Sequence, residues 1–214
     1  MPRRQIIGLR KNNTGAHKKG KARRQSLVTA AFDLLCKRPI EEISFSDIAR
    51  KADVPEGSTY HFFANRFDVF TEVANQLSDQ FVEIFQQAVP ARRRGDWQSL
   101  VGYLLESSSE VYNNTPAARQ LLIGGKTPPE IKQMDRLNEQ QVGVVLGEIF
   151  DRYFEMPKIP RSGDVFYYFI ELTDLMFSLS VIKHDKITKQ MHQEAVRVGI
   201  AYLGSYLPEK LVPR

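Results

Sequence analysis

The stretch SDIARKADVPEGSTYHFFANRFDVF, residues 46–70, constrains the fold more than any other part of the chain. Ile48, Ala49 and Ala52 form a narrow apolar strip at helical spacing, and the pattern stops at Asp53-Val54-Pro55-Glu56-Gly57. Pro55 lacks an amide hydrogen and Gly57 is permissive in backbone angle, so a helix ends there. Ser44 followed three positions later by Asp47 has the form of a capping box and starts the first helix of this pair. The restart, Gly57 to Phe63, is about two helical turns long. Its apolar residues Phe62 and Phe63 gather at the end, which leaves Ser58, Thr59 and His61 for solvent or a ligand. Asn65 with Asp68 begins a further helix, continued by Val69, Phe70, Val73, Leu77, Phe81 and Ile84. Two short helices joined by a tight turn make a helix-turn-helix pattern.

Upstream, Ala22 to Arg38 places Val28, Ala31, Phe32 and Leu35 at helical spacing, and Pro39 ends the run. Before that the charge is lopsided. Residues 1–24 hold nine Lys and Arg and no acid, so with a net charge of +5 the rest of the chain stands at −4. Residues 1–21 are rich in Lys, Arg, Gly and Asn with few apolar side chains and read as a flexible basic arm. Such an arm serves polyanions by releasing counterions from phosphates. Deleting residues 1–20 is expected to weaken binding to every DNA sequence and to flatten its salt dependence.

Residues 44–70 resemble the DNA-binding signature of the tetracycline-repressor (TetR) family of bacterial transcription regulators. The matching residues are Ser44, Asp47-Ile48-Ala49, Val54, Gly57-Ser58, Tyr60, Phe63, Arg66 and Asp68. Pro55, Glu56, Thr59 and Arg66 depart from the residues common in that pattern. The resemblance implies an all-α protein. Its parts are the arm over 1–21, a three-helix DNA-binding domain over 22–70, a larger helical ligand-binding and dimerisation domain over 71–207, and a tail over 208–214. It also implies that the short second helix enters a major groove, with Ser58, Thr59 and His61 toward base edges and Gly57 allowing close backbone approach. Tyr60, Arg66 and the Ser44 or Ser46 hydroxyl are then candidates for phosphate. Lys18, Lys19, Lys21, Arg23 and Arg24 are placed to follow the minor groove.

The C-terminal part reads as helices alone. Asp96 caps a helix through about Asn114, "AARQLLIGG" is short, "KTPPE" opens a long helix through Phe154, and the last two run over 164–182 and 188–207. These last two carry apolar residues on more than one side. One side serves the core and another a partner's copy, giving a homodimer through a four-helix bundle. Two-fold symmetry sets two recognition helices about one DNA turn apart, on a near-palindromic operator. A small-molecule pocket is expected among Trp97, Tyr103, Glu106, Tyr112, Met134, Tyr153, Tyr167, Glu171, Asp174 and Phe177, the ligand unnamed. The final LVPR matches the cut side of a thrombin site, a reading in which it is a cloning remnant.

Other functions find no anchor. "GGKT" at 124–127 evokes a phosphate loop, but Gln120 stands where that pattern needs glycine, and no strand precedes it. One cysteine and four scattered histidines offer no zinc spacing, and His184 and His192 are separated by a break. No catalytic arrangement, cofactor or metal is expected. The longest apolar run, VFYYFI at 165–170, is far short of the roughly 18 residues a membrane helix needs. The expectation is a cytoplasmic repressor that binds double-stranded DNA and is released by a ligand. A DNA-binding architectural protein without inducer, and a helical ligand-binding protein with a vestigial DNA motif, stay open at this stage.

Overall fold

The computed structural model describes the backbone of residues 16–214, and their side chains apart from residues 16–18, 138 and 139. Among the described residues there are nine α-helices: α1 (Ala16–Leu35), α2 (Phe45–Lys51), α3 (Glu56–Thr59), α4 (Arg66–Phe85), α5 (Trp97–Asn114), α6 (Pro116–Leu121), α7 (Pro129–Tyr153), α8 (Ser162–His184) and α9 (Lys189–Leu203). The all-α class follows. Much of the expected arm, residues 1–15, and the Lys18 side chain lie outside the described residues. Helix α1 starts at Ala16, six residues before the expected start, so residues 16–21 are helical.

Helix α4 joins the two halves. Its buried Val69, Phe70, Val73 and Leu77 belong to one core with Leu27, Val28, Ala31 and Leu35 of α1, and its far end reaches α7. Asn65 starts it by accepting from the Phe67 amide at 2.7 Å and the Asp68 amide at 3.2 Å. Asp96 caps α5 by accepting from the Ser99 amide at 2.6 Å.

The C-terminal half is built by α7, α8 and α9 at close range. A Cβ on Gly143 of α7 would lie 2.8 Å from the Gly163 carbonyl oxygen, so the backbones of α7 and α8 meet there. A Cβ on Gly199 of α9 would lie 2.6 Å from the Phe169 ring of α8. Any side chain at either position would force the helices apart.

Helix α8 differs from the expectation drawn from unbroken apolar runs. An 18-residue window of it has mean hydropathy 1.5, long and apolar enough to cross a membrane by length and composition, with a third of that window buried. Two flanks pack on α7 and α9, and the outer face keeps Tyr168, Leu175, Leu179 and Ile182 exposed.

The tail is packed. The Trp97 indole donates to the Pro208 carbonyl at 3.0 Å, the Glu155 amide to Val212 at 2.8 Å, and the Arg214 amide to Tyr153 at 2.9 Å. The LVPR segment thus runs antiparallel to the end of α7, with Leu211 buried.

Candidate nucleic-acid interface and interior cavity

Helix α2 begins with the full capping box. The Ser44 hydroxyl accepts from the Asp47 amide at 3.0 Å, and the Asp47 carboxylate accepts from the Ser44 amide at 3.1 Å. Those bonds hold the Asp47 carboxyl below its ordinary range, with Arg38 and Arg50 beside it adding to the effect. The turn that follows puts Asp53 in the left-handed region at φ 53° and returns the Val54 amide to the Ala49 carbonyl at 3.1 Å. Val54 is buried and anchors the turn.

Helix α3 is shorter than the expected two turns. Its four residues start after Pro55, and the coil continues as a tight turn, His61 to Ser58 at 3.2 Å and Phe62 to Thr59 at 2.9 Å. Gly57 is exposed with open space around it, His61 is exposed, and Ser58 is half-buried. Tyr60 is 58% exposed, its ring set edge-on against Phe45 at 5.1 Å. These four form the outward edge.

Four expected contact residues are used by the protein itself. Thr59 is fully buried and donates to the Pro55 carbonyl at 3.3 Å; it lies one helical turn before buried Phe63, so it faces the core and not a groove. The Ser46 hydroxyl gives its one proton to Glu56 at 2.6 Å, tying α2 to α3. Arg66 donates to the Ile43 carbonyl at 2.7 Å and stacks 4.8 Å over Phe67, which fastens the start of α4 to the loop before α2. Arg24 pairs with Glu72 at 2.7 Å and lies 4.7 Å over the Phe63 ring. That bond also holds the Glu72 carboxyl below its ordinary range. Lys19, Lys21 and Arg23 are exposed on α1.

In the C-terminal half, α4, α5, α7 and α8 line a partly open cavity of about 50 Å³. Its walls include Phe81, Phe85, Leu104, Tyr112, Val142, Leu146 and Phe169, with Ser78, Ser108, Thr173, Asp135 and Asp174 as polar groups. Burial pushes the Asp174 carboxyl up to about 7 and the Asp135 carboxyl up to about 6; Lys132 opposes both shifts. Asp174 lines the cavity and is half-buried. The Tyr112 hydroxyl donates to Asp174 at 3.1 Å, and the Lys132 ammonium lies 3.2 Å from Asp135.

Of the ten residues expected to line a pocket, Tyr112 and Asp174 do so here. Phe177 packs edge-on against Tyr112 at 6.1 Å from deeper in the core, and Trp97 is held by the tail. The Tyr153 hydroxyl receives the Val89 amide at 3.1 Å. Glu106 pairs with Arg93 at 2.6 Å, and Glu171 with Arg136 at 3.1 Å and with the Tyr167 hydroxyl at 3.0 Å. Tyr103 is half-buried against the core and Met134 is exposed. For Trp97, Glu106, Tyr153, Tyr167, Glu171 and Phe177 the reason is the same: each reaches a partner elsewhere in the fold before it reaches the cavity. Asp135 was missed, although it follows Ile131 by four and precedes Val142 by seven, a carboxylate on a buried helical stripe.

A polar edge on α3, exposed cations on α1 and a helical body with a cavity make an all-α fold with a helix-turn-helix near its start. Residues 27–73 match the sequence model of the family described as bacterial regulatory proteins, tetR family. The match covers the N-terminal domain, and over those residues the chain is similar to that family. A TetR-family transcriptional regulator from Streptomyces coelicolor is similar in structure, with TM-score 0.66 and 21% identity over 86% of this chain and 99% of that one. A TetR transcriptional regulator from Rhodococcus sp. RHA1 gives TM-score 0.66 and 14% identity over 86% and 97%. The multidrug binding protein EbrR complexed with ethidium gives TM-score 0.60 and 22% identity over 84% and 98%. No curated protein matches.

Proposed function

We propose that this chain is a cytoplasmic, dimeric repressor that binds a near-palindromic operator and is released when a small hydrophobic cation enters the cavity. The observation that carries the DNA reading is the outward edge of Gly57, Ser58, Tyr60 and His61, presented by a stub whose Thr59 and Phe63 are buried in the core. Short donors on a narrow helical stub fit a major groove about 12 Å wide. Lys19, Lys21 and Arg23 on α1 supply positive charge for flanking phosphate.

The exposed stripe of α8 supports the dimer. Tyr168, Leu175, Leu179 and Ile182 follow one another by seven, four and three residues, so they share one face. A contiguous apolar face of this kind marks a protein contact. A second copy about a two-fold axis covers it and sets the two stubs to meet successive grooves.

The ligand class follows from the cavity walls. Aromatic rings beside two buried carboxylates favour a cation with apolar substituents. The ethidium bound by the similar EbrR is a cation of that sort. A cavity of about 50 Å³ is far below the ~300–1,000 Å³ of sites for drug-sized molecules, so such a ligand must part the helices as it enters. Binding and movement become one event, and differential affinity for the parted form shifts the equilibrium away from DNA.

Footprinting on DNA flanking the gene tests the reading. The expected result is protection of two half-sites about one helical turn apart, lost on adding tetraphenylphosphonium. Binding no tighter than to random DNA at the same salt would sink it.

A further inference from the structure

We infer that Lys132 and Gln120 form a relay through which the cavity controls the position of the DNA-binding domain. Lys132 holds the end of α6, and Gln120 holds the connection between α1 and α2. The relay rests on the reading of the cavity as a ligand site.

Gln120 is on α6, and its terminal amide makes three hydrogen bonds to one backbone segment. It accepts from the Ile40 amide at 2.7 Å and donates to the Leu35 carbonyl at 2.6 Å and the Arg38 carbonyl at 2.9 Å. Helix α1 ends here and leaves carbonyls to be satisfied, and Pro39 has no amide to offer them. The same segment is fixed from its other side by Arg66, which donates to the Ile43 carbonyl next to the start of α2. The segment between α1 and α2 is thus gripped by the C-terminal half through Gln120 and by the start of α4 through Arg66.

Helix α6 has six residues, and its Ala117, Ala118 and Leu121 are buried where it packs on α1, α4 and α5. Just beyond its end, the Leu122 carbonyl accepts from the Lys132 ammonium at 2.6 Å, and that ammonium also reaches Asp135 at 3.2 Å. Leu122 and Asp135 both line the cavity. Lys132 is therefore the cation that already answers the cavity's carboxylates, and it does so while clamping α6. A ligand cation drawn to Asp135 competes with Lys132 for that carboxylate. When Lys132 turns away, the Leu122 carbonyl is released two residues from Gln120. A short, closely packed helix moves as a body, so the bonds to Leu35, Arg38 and Ile40 shift together.

Amide hydrogen exchange on the full chain, without DNA, tests this directly. Gln120→Leu should raise exchange of the Ile40 amide at least tenfold. Lys132→Met should do the same from the cavity side, and Lys132→Gln, which keeps a donor for the Leu122 carbonyl, should restore protection to within about threefold of wild type. Amides in α8 and α9 should stay within a factor of two in every variant, which separates the relay from general loosening. Unchanged Ile40 exchange in Lys132→Met, or a rise spread equally over α8 and α9, overturns the relay. In wild type, tetraphenylphosphonium should speed Ile40 exchange and the neutral triphenylphosphine oxide should not. Binding of the cation by calorimetry with Ile40 protection intact also overturns the relay. No binding by calorimetry removes the ligand reading alone, because the variants decide the relay without any ligand.

Discussion

The outward edge of α3 and the cavity between α4, α5, α7 and α8 use similar side chains in opposite surroundings. At the edge, Tyr60 and His61 stand in solvent on a stub fixed by its neighbours. In the cavity, Tyr112 and Asp174 meet inside an apolar shell, and burial moves the carboxyl to about 7. A polyanion is met by groups that stay hydrated until contact, so local turn chemistry suffices to present them. An interior site needs four helices to converge, and it costs the fold stability to keep charge there. The same aromatic or acid therefore signals different things in the two regions.

The sharpest way to break this comparison is to alter the edge. Tyr60→Ala and His61→Ala should each lower operator affinity by about 10- to 100-fold, His61→Ala with the thermal midpoint unchanged and Tyr60→Ala with a small drop from the lost edge contact to Phe45. Thr59→Val, which changes a buried side chain, should hold affinity within about twofold. If Thr59→Val costs as much affinity as His61→Ala at equal stability, α3 faces the groove with its other side.

The cavity half is probed by pH. Asp174 and Asp135 hold protons in the folded state up to about 7 and about 6, whereas unfolded carboxyls lose theirs near the ordinary value of 3.8. The folded state thus binds more protons between about pH 4 and 7, and stability must fall as pH rises through that window. Asp174→Asn should be more stable than wild type by about 1–3 kcal/mol at pH 8, with the gap closing as pH falls toward 4. Denaturant unfolding at a series of pH values measures it, and a gap independent of pH would place Asp174 in contact with solvent. Cation binding should run the other way and tighten as pH rises through about 7, because the ionised carboxylate is the partner.

Two smaller effects sharpen the edge. Arg66→Ala removes bonds to the Ile43 and Glu41 carbonyls and should cost about 1–2 kcal/mol of stability. The slope of log affinity against log salt should stay as in wild type, whereas loss of a phosphate contact would reduce it by about one. Asp53→Gly, at φ 53°, should gain about 0.5 kcal/mol in unfolding experiments, since glycine adopts that angle freely. A loss there would mean that the Asp53 side chain does more than fill the turn.

Particular residues show how far the sequence could be followed. Ser44, Asp47, Val54 and Pro55 act within a few positions of themselves, and the cap, the turn and the break stand where the pattern put them. The hydroxyl of Thr59 suggests an outward position, but its rotation about α3 follows Phe63 one turn later, which places it in the core. The sequence offers Arg66 to phosphate and Arg24 to the minor groove, yet Ile43, Glu72 and Phe63, distant in sequence, take them up. In the C-terminal half the helices were legible from period and caps. The cavity was not, because nothing local tells Tyr112 from Tyr153.

By itself the sequence determined an all-α chain with a helix-turn-helix near its start, because capping, helix breaking and apolar spacing act over a few residues. Only the tertiary structure decided which polar side chains are spent on the protein and which remain for a ligand. That choice depends on helices meeting across large sequence separations, as Gln120 meets Leu35 and Tyr112 meets Asp174. Pairing of buried polar groups is settled by distance in space, which no local pattern encodes.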